Sequence, residues 1–449
     1  MLHSLILLGF LGSLVVLAII RPMAGVVAFE CFTFMSPQQE TYGMTGALPV
    51  ALIAALATVV GCVVNREPKS LQLNSITVLV LLFLAQATIS TIFALAPTSI
   101  VLPVYTDLLK SLGFLILVGA LLTNRRRVHT LVWLIVLAIG YYGVKGGLFT
   151  LLTGGGNHVY GPPNSVLADN NQLAVALLTV LPLMNYLRVI SAHRIVRIGM
   201  TLAMMLTVIA VVGTYSRGGL LALFAMSAFL WWNSKGKVKS GILIAIGLVV
   251  AISIMPSQWT ERMYSIQHYQ KDASADDRLT VWRQAFGIAL ANPLTGGGFK
   301  ATATPSVIHR YYPDAHQRAT HSIWFQLVSQ GGFPMLAIYI ALIIATVIKL
   351  HRIRWRTRGD PSLRWIDELC RMIEVSMVAF LVGGSFLSLG YYSLIYTLLL
   401  TVGALGAIVA RLPARGTVPK ARELARLPVS GGEPRGVVPS WRLRRDVQG

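Results

Sequence analysis

Long apolar runs separated by short polar connectors dominate this chain and leave few folds open to it. They recur near residues 2–20, 23–35, 47–64, 76–94, 109–123, 128–150, 171–187, 198–214, 218–232, 241–255, 322–349, 372–388 and 393–410. A helix that crosses a bilayer needs roughly 20 such residues, because hydrocarbon offers no partner to backbone N–H and C=O groups. Only 12% of the residues are charged, and the mean hydropathy is +0.67, which excludes a soluble globular domain. The pattern predicts an all-α polytopic membrane protein with about 12–13 transmembrane helices. One long loop, 256–320, interrupts it. The second stretch is the shortest and decides between twelve and thirteen spans.

The formal net charge is +21. In a soluble protein that excess would suggest nucleic acid, but here topology accounts for it. Arg21, Arg66, Lys69, Arg125–Arg127, Arg188, Arg194, Arg197, Lys235, Lys237, Lys239, the 349–371 segment and the C-terminal tail together carry 28 Lys/Arg. The alternate connectors, 36–46, 95–108, 153–170 and 389–392, carry none. The positive-inside rule then places the C-terminus in the cytoplasm. The N-terminus is external with thirteen spans and internal with twelve. Residues 411–449 hold nine Arg/Lys against three acids, with Pro and Gly, and read as a basic disordered cytoplasmic tail held near anionic lipid. Cys31, Cys62 and Cys370 show no metal-type spacing, and no structural disulfide is expected. No basic region precedes the first stretch, so it reads as a retained span.

The spans are nearly free of charge, Glu30, Lys110, Lys145 and Glu374 being the main exceptions. An ion-coupled transporter keeps ionisable groups near the midplane. Here they collect on the external side instead, which favours chemistry on a substrate presented at the outer interface. In the long loop, "SADDRLTVWRQAFGIALANP" predicts a short amphipathic helix. Ser274 or Asp276 would cap it, Leu279, Trp282, Phe286 and Leu290 would form its apolar stripe, and Asn292-Pro293 would end it. Such a helix would lie at the outer interface.

Arg217 stands between two apolar stretches and precedes Gly218-Gly219, which let a backbone or a ligand approach closely. Two readings are open for it: a bidentate contact to phosphate oxygens, or snorkelling to the headgroups. Arg278 follows Asp276-Asp277, so it either pairs with them or forms a second phosphate clamp. Arg283, five residues on, points elsewhere. His321 opens the 322–349 span and either acts as a general base or is a hydrogen-bonded interfacial histidine. His309 and His316 are weaker rivals, and the three lack the spacing of a zinc site. The "TGGG" runs at 153–156 and 295–298 are loop punctuation.

"GTYSRGG" (213–219), "RLTVWRQAFGIALANPLTGGGF" (278–299) and "THSIWFQLVSQGGFPM" (320–335) together resemble the O-antigen ligase and polymerase superfamily. "YYGVKGGLFTLLTGGGNHVYGPPNSVLADNNQLAVALLTVLPLMNYL" (141–187) resembles the N-terminal half of the O-glycosylation ligases associated with exosortase systems. The resemblance divides the chain into an N-terminal transmembrane half (1–190), a ligase-like core (191–410) with loop 256–320, and the tail (411–449). It implies a bacterial inner-membrane glycosyltransferase with a periplasmic active site. Such an enzyme moves a glycan from undecaprenyl diphosphate to an acceptor: a protein, a growing polysaccharide or lipid A-core. Neither metal nor other cofactor is implied, nor nucleic acid. By motif, Arg217 and Arg278 would bind the diphosphate and His321 would assist the acceptor hydroxyl. Asp169, Asn171, His316 and Arg318 are candidate donor or acceptor contacts. Inversion at C1 is expected, since no carboxylate pair suggests a covalent intermediate. A polymerase of the same superfamily is the alternative, and a lipid-linked sugar transporter stands behind it.

Overall fold

The computed structural model describes residues 2–36, 48–65, 69, 73–234, 236–253, 255–257, 259 and 273–412. They form helices, and no strand occurs among them. In chain order these are α1 (Leu2–Ile20), α2 (Pro22–Phe34), α3 (Val50–Val64), α4 (Ser75–Ile92), α5 (Thr98–Leu121), α6 (Arg125–Leu152), α7 (Asn170–Ile190), α8 (Arg194–Gly213), α9 (Arg217–Trp232) and α10 (Lys237–Ser253). The long connector supplies α11 (Ala273–Ala291) and α12 (Pro305–Tyr311). The chain then closes with α13 (Ile323–Thr357), α14 (Arg364–Gly384) and α15 (Ser393–Ala410). Every apolar stretch of the sequence is thus a helix. Among the described residues seven, α4 to α8, α13 and α15, are long and apolar enough to cross a membrane, and α2, α3 and α9 are shorter apolar helices. The protein is an all-α polytopic membrane protein. The tail beyond 412, the connector 37–47 and the first part of the long loop lie outside the described residues.

Several boundaries differ from the pattern. α5 starts at Thr98 rather than near 109, with Pro97 at its N-cap and Pro103 inside. A proline so near the helix start removes only one ladder bond. α14 begins at Arg364 rather than 372, because its charged first half is paired. Arg354 reaches Asp367 at 3.3 Å and Glu374 at 3.0 Å. The chain then leaves the helix at Ser385 and turns until Ser393.

α13 is two helices joined at a kink. Gly332 has φ 71° and ψ −176°, a conformation that only glycine adopts readily. The 293–298 backbone wedges into this kink. Gly297 N–H donates to Ser329 O at 2.8 Å, and Phe333 N–H donates to Pro293 O at 2.9 Å. A Cβ on Gly332 would lie 2.5 Å from Pro293 O, and one on Gly296 would lie 2.6 Å from the Gln330 carbonyl carbon. Gln86 of α4 locks the joint, donating to Leu294 O at 2.6 Å and Gly331 O at 2.9 Å. The "TGGG" at 295–298 is therefore a backbone-to-backbone packing device rather than loop punctuation.

Among the described connectors that lack Lys and Arg, 153–170 packs on the turn between α8 and α9, and 389–392 packs on α13. Val159 N–H donates to Gly213 O at 3.0 Å, Asn170 Nδ2 to Thr214 O at 2.7 Å, and Gly390 N–H to Gln326 Oε1 at 2.9 Å. At the opposite end of α6, in a basic connector, Arg125 lies 5.7 Å above the Trp365 ring. The described residues up to Val409 form one compact unit.

α11 corrects two expectations. It starts at Ala273, so Ser274 and Asp276 lie inside its first turn and neither is its N-cap. Its buried side is Val281, Ala285, Ile288 and Ala289, while Leu279, Phe286 and Leu290 are exposed. Packing on α13 selects that side. Leu279, Phe286 and Leu290 are left facing outward, while Trp282 turns toward the start of α13. The helix ends before Asn292-Pro293, as the sequence indicates.

Candidate active site

His321 sits one residue before the N-cap of α13, in the left-handed region with φ 45°. For a residue with a Cβ this conformation costs about 1–3 kcal/mol and persists only where the surroundings impose it. Here they do. The His321 amide donates to Ser388 Oγ at 3.0 Å, and Thr320 Oγ1 lies 3.2 Å from the same hydroxyl. Trp282 of α11 donates its Nε1–H to Thr320 O at 2.8 Å and stacks on Phe325 with centroids 5.0 Å apart. Trp324 Nε1–H reaches Ser385 Oγ at 2.9 Å. Three elements, α11, α13 and the turn after α14, thus fix the backbone that carries the imidazole.

Beside it lies a cavity of about 310 Å³ lined by Asp277, Arg278, Val281, Arg318, Ala319 and His321. Arg318 pairs with Asp277, and its amide donates to Thr302 O at 3.3 Å. The His321 ring keeps solvent access, yet its pKa is lowered from the ordinary histidine value. Burial is the first cause, Arg278 the second; Arg318 adds to the shift and Asp169 opposes it. The imidazole is therefore neutral at pH 7, with a lone pair to accept a proton.

The remaining candidates gather at the same end without lining this cavity. Arg217 is the first residue of α9, whose N-cap Ser216 accepts from Gly219 N–H at 3.0 Å. Tyr215 before it is also left-handed, with φ 58°, and its hydroxyl donates to Gly155 O at 2.6 Å. A Cβ on Gly219 would lie 2.8 Å from Ala174 Cβ, and one on Gly218 would lie 3.4 Å from Phe386 Cβ. The glycine pair therefore seats α9 against α7 and against the turn that carries Ser388. Asp169 caps α7 by accepting from Asn171 N–H at 2.9 Å and Gln172 N–H at 3.3 Å. Asn171 donates to Asn170 Oδ1 at 3.0 Å. His316 and Arg283 are exposed.

Residues 202–340 match a family model described as O-antigen ligase, and this range contains Arg217, Arg278 and His321. This match supports membership of the O-antigen ligase superfamily. Residues 2–192 match a family of unknown function (DUF5935), a range that holds Asp169 and Asn171. No curated protein matches the chain. Together with the helical architecture, the O-antigen ligase match supports a multi-pass membrane enzyme of the glycan ligase or polymerase type.

Within this ligase-superfamily chain, the sequence pointed to Arg278, Arg318 and His321, and the structure brings them to one cavity. Ser388, which holds the His321 backbone, lies in "GSFLSLGYY" and carries no local signal of that role. Its partner is 67 positions away. The cavity combines two guanidinium groups with a neutral imidazole. The guanidinium groups can hold an anionic group that gains charge, and the imidazole can take a proton from a hydroxyl. The N-termini of α7, α9 and α13 lie at the same end, and their backbone dipoles favour an anion there.

Proposed function

We propose that this enzyme transfers a glycan en bloc from undecaprenyl diphosphate to an acceptor hydroxyl at the periplasmic face of the bacterial inner membrane. The observation that carries this reading is the cavity that places Arg278 and Arg318 beside neutral His321. The distribution of Lys and Arg between connectors supports a cytoplasmic C-terminus and a periplasmic site. The acceptor oxygen attacks C1 of the first sugar from the face opposite the lipid diphosphate. The C1–O bond breaks, its electron pair passes to the diphosphate oxygen, and the acceptor proton passes to His321. Arg278 stabilises the negative charge as it grows, joined by Arg217 once substrate is bound. In a site of low dielectric such fixed cations act more strongly than in water. A single displacement inverts C1. The guanidinium groups do the work a divalent ion would otherwise do, so the transfer proceeds without metal.

The resemblance of residues 141–187 to the exosortase-associated O-glycosylation ligases favours a protein hydroxyl as acceptor. The polymerase reading makes the acceptor a second lipid-linked glycan. One experiment separates them. Membranes containing the enzyme receive labelled lipid-linked glycan, and the products are sized and fractionated. Label on protein or lipid A-core supports ligation; a ladder still attached to undecaprenyl diphosphate supports polymerisation. If Arg278→Ala membranes transfer the label as fast as wild type, the proposed chemistry is wrong in either case.

A further inference from the structure

α11 does not have the charge pattern of a helix lying flat on a membrane. An interfacial helix carries its charged face along its whole length. Here Asp276, Asp277, Arg278 and Arg283 all precede Gln284, and no Asp, Glu, Lys or Arg occurs from Gln284 to Phe299. Polarity changes along the axis rather than around it. Both sides of the second half are apolar: Ile288 and Ala289 are buried, while Leu290 is 60% exposed and Leu294, just beyond the helix, is 70% exposed.

α4 supplies a depth gauge. It has 18 residues, just short of the roughly 20 that cross the hydrocarbon, so all of it is needed to span. Gln86 lies six residues inside the end at Ile92, about 9 Å along the helix axis. Its side chain donates to Leu294 O and Gly331 O. The backbone turn after α11 is therefore held inside the hydrocarbon layer. α11 runs alongside the first half of α13 to reach it. Trp282 meets Thr320 and Phe325 near the cavity, and Phe286 packs edge-on against Phe333, centroids 6.0 Å apart, near the kink. The exposed stripe also has an exposed neighbour on a spanning helix, Phe333 of α13.

We propose that α11 and the 292–299 turn form a re-entrant membrane segment whose Phe286, Leu290 and Leu294 face lipid acyl chains. The helix enters the membrane beside Arg278 and His321 and stops at the kink of α13. From there the chain returns through α12. Irregular backbone is tolerated at that depth because its polar groups are paired with α4 and α13. This inference rests on packing and charge, and is independent of the reaction proposed above.

The test introduces one cysteine at a time into the full-length protein in native membranes, with Cys31, Cys62 and Cys370, which are free, first replaced by serine or alanine. Leu290→Cys and Leu294→Cys are compared with Asp314→Cys, an exposed loop position, and Ile92→Cys on α4. A charged thiol reagent should label the two leucine positions about tenfold or more slowly than position 314, because hydrocarbon excludes it. In proteoliposomes, a fluorophore at 290 or 294 should be quenched by brominated phosphatidylcholine as strongly as one at 92. Labelling as fast as at 314, or the absence of quenching by brominated lipid, overturns the proposal.

Discussion

The backbone amide of His321 is hydrogen bonded to the side chain of Ser388, 67 positions away, at 3.0 Å. That bond joins the start of α13 to the turn after α14 and sets where the imidazole stands. Ser388→Ala should leave the chain folded, since a single such bond contributes about 0.5–1.5 kcal/mol. Transfer should slow several-fold, and Ser388→Thr should recover most of it. Initial rates of glycan transfer measured beside the thermal midpoint in detergent separate a positional effect from a loss of fold.

The environment of His321 makes the pH dependence testable. Its pKa lies below the ordinary value, so the imidazole is neutral at pH 7 and protonates only as pH falls through that lowered pKa. Activity should therefore hold at neutral pH and decline on the acid side. Arg278 is one cause of the lowering, so Arg278→Gln should move the acid limb to higher pH. Asp169 acts in the opposite sense, so Asp169→Asn, which keeps the helix cap, should move it to lower pH. His321→Ala should lose about 10²–10⁴ in rate. An acid limb that stays in place in both charge variants would exclude His321 as the titrating base.

Arg217 separates clamp from anchor by chemistry rather than by charge. A snorkelling cation serves equally well as lysine. A bidentate contact to diphosphate does not, because only the guanidinium presents paired donors. Arg217→Lys and Arg217→Ala should both lose about 10²-fold or more in transfer if the group stabilises the leaving diphosphate. Full activity in Arg217→Lys would assign the residue to the headgroup region.

The kink of α13 predicts a stability effect far from the chemistry. Gly332→Ala places a methyl 2.5 Å from Pro293 O in a left-handed conformation, and should destabilise by at least about 1–3 kcal/mol. Gly199→Ala in α8, where nothing lies within 4 Å, should be neutral or slightly stabilising. Thermal unfolding of the two detergent-solubilised variants provides the comparison. Equal midpoints would mean that the wedge does not hold the kink.

Removal of divalent ions by a chelator should leave the rate unchanged if fixed guanidinium groups alone stabilise the diphosphate. Restoration of lost activity by added Mg²⁺ would show that the cations of the cavity are insufficient.

Much of this was legible from residue order alone, because solvation by hydrocarbon acts on every residue separately. Apolar stretches of helical length had to become helices, and Lys and Arg had to collect at alternate connectors. Arg217 and His321 beside spans, and Arg278 and Arg318 in the long loop, stand out against that background, and the resemblance supplies their expected roles. Helix ends such as Thr98 and Arg364 were not legible, since Pro97 and the pairing of Arg354 with Asp367 and Glu374 decided them. Nor was the side of α11 that packs. The side with Leu279, Phe286 and Leu290 and the side with Val281, Ala285, Ile288 and Ala289 are both apolar at helical spacing, and only contact with α13 chose between them. Ser388 beneath His321 and Gln86 beneath Gly331 are likewise products of tertiary structure, because a hydrogen bond between residues 67 or 245 positions apart leaves no local periodicity to read. Sequence determined the solvent each segment would meet; the fold decided which segments would meet each other, because close packing depends on shape across the chain and not along it.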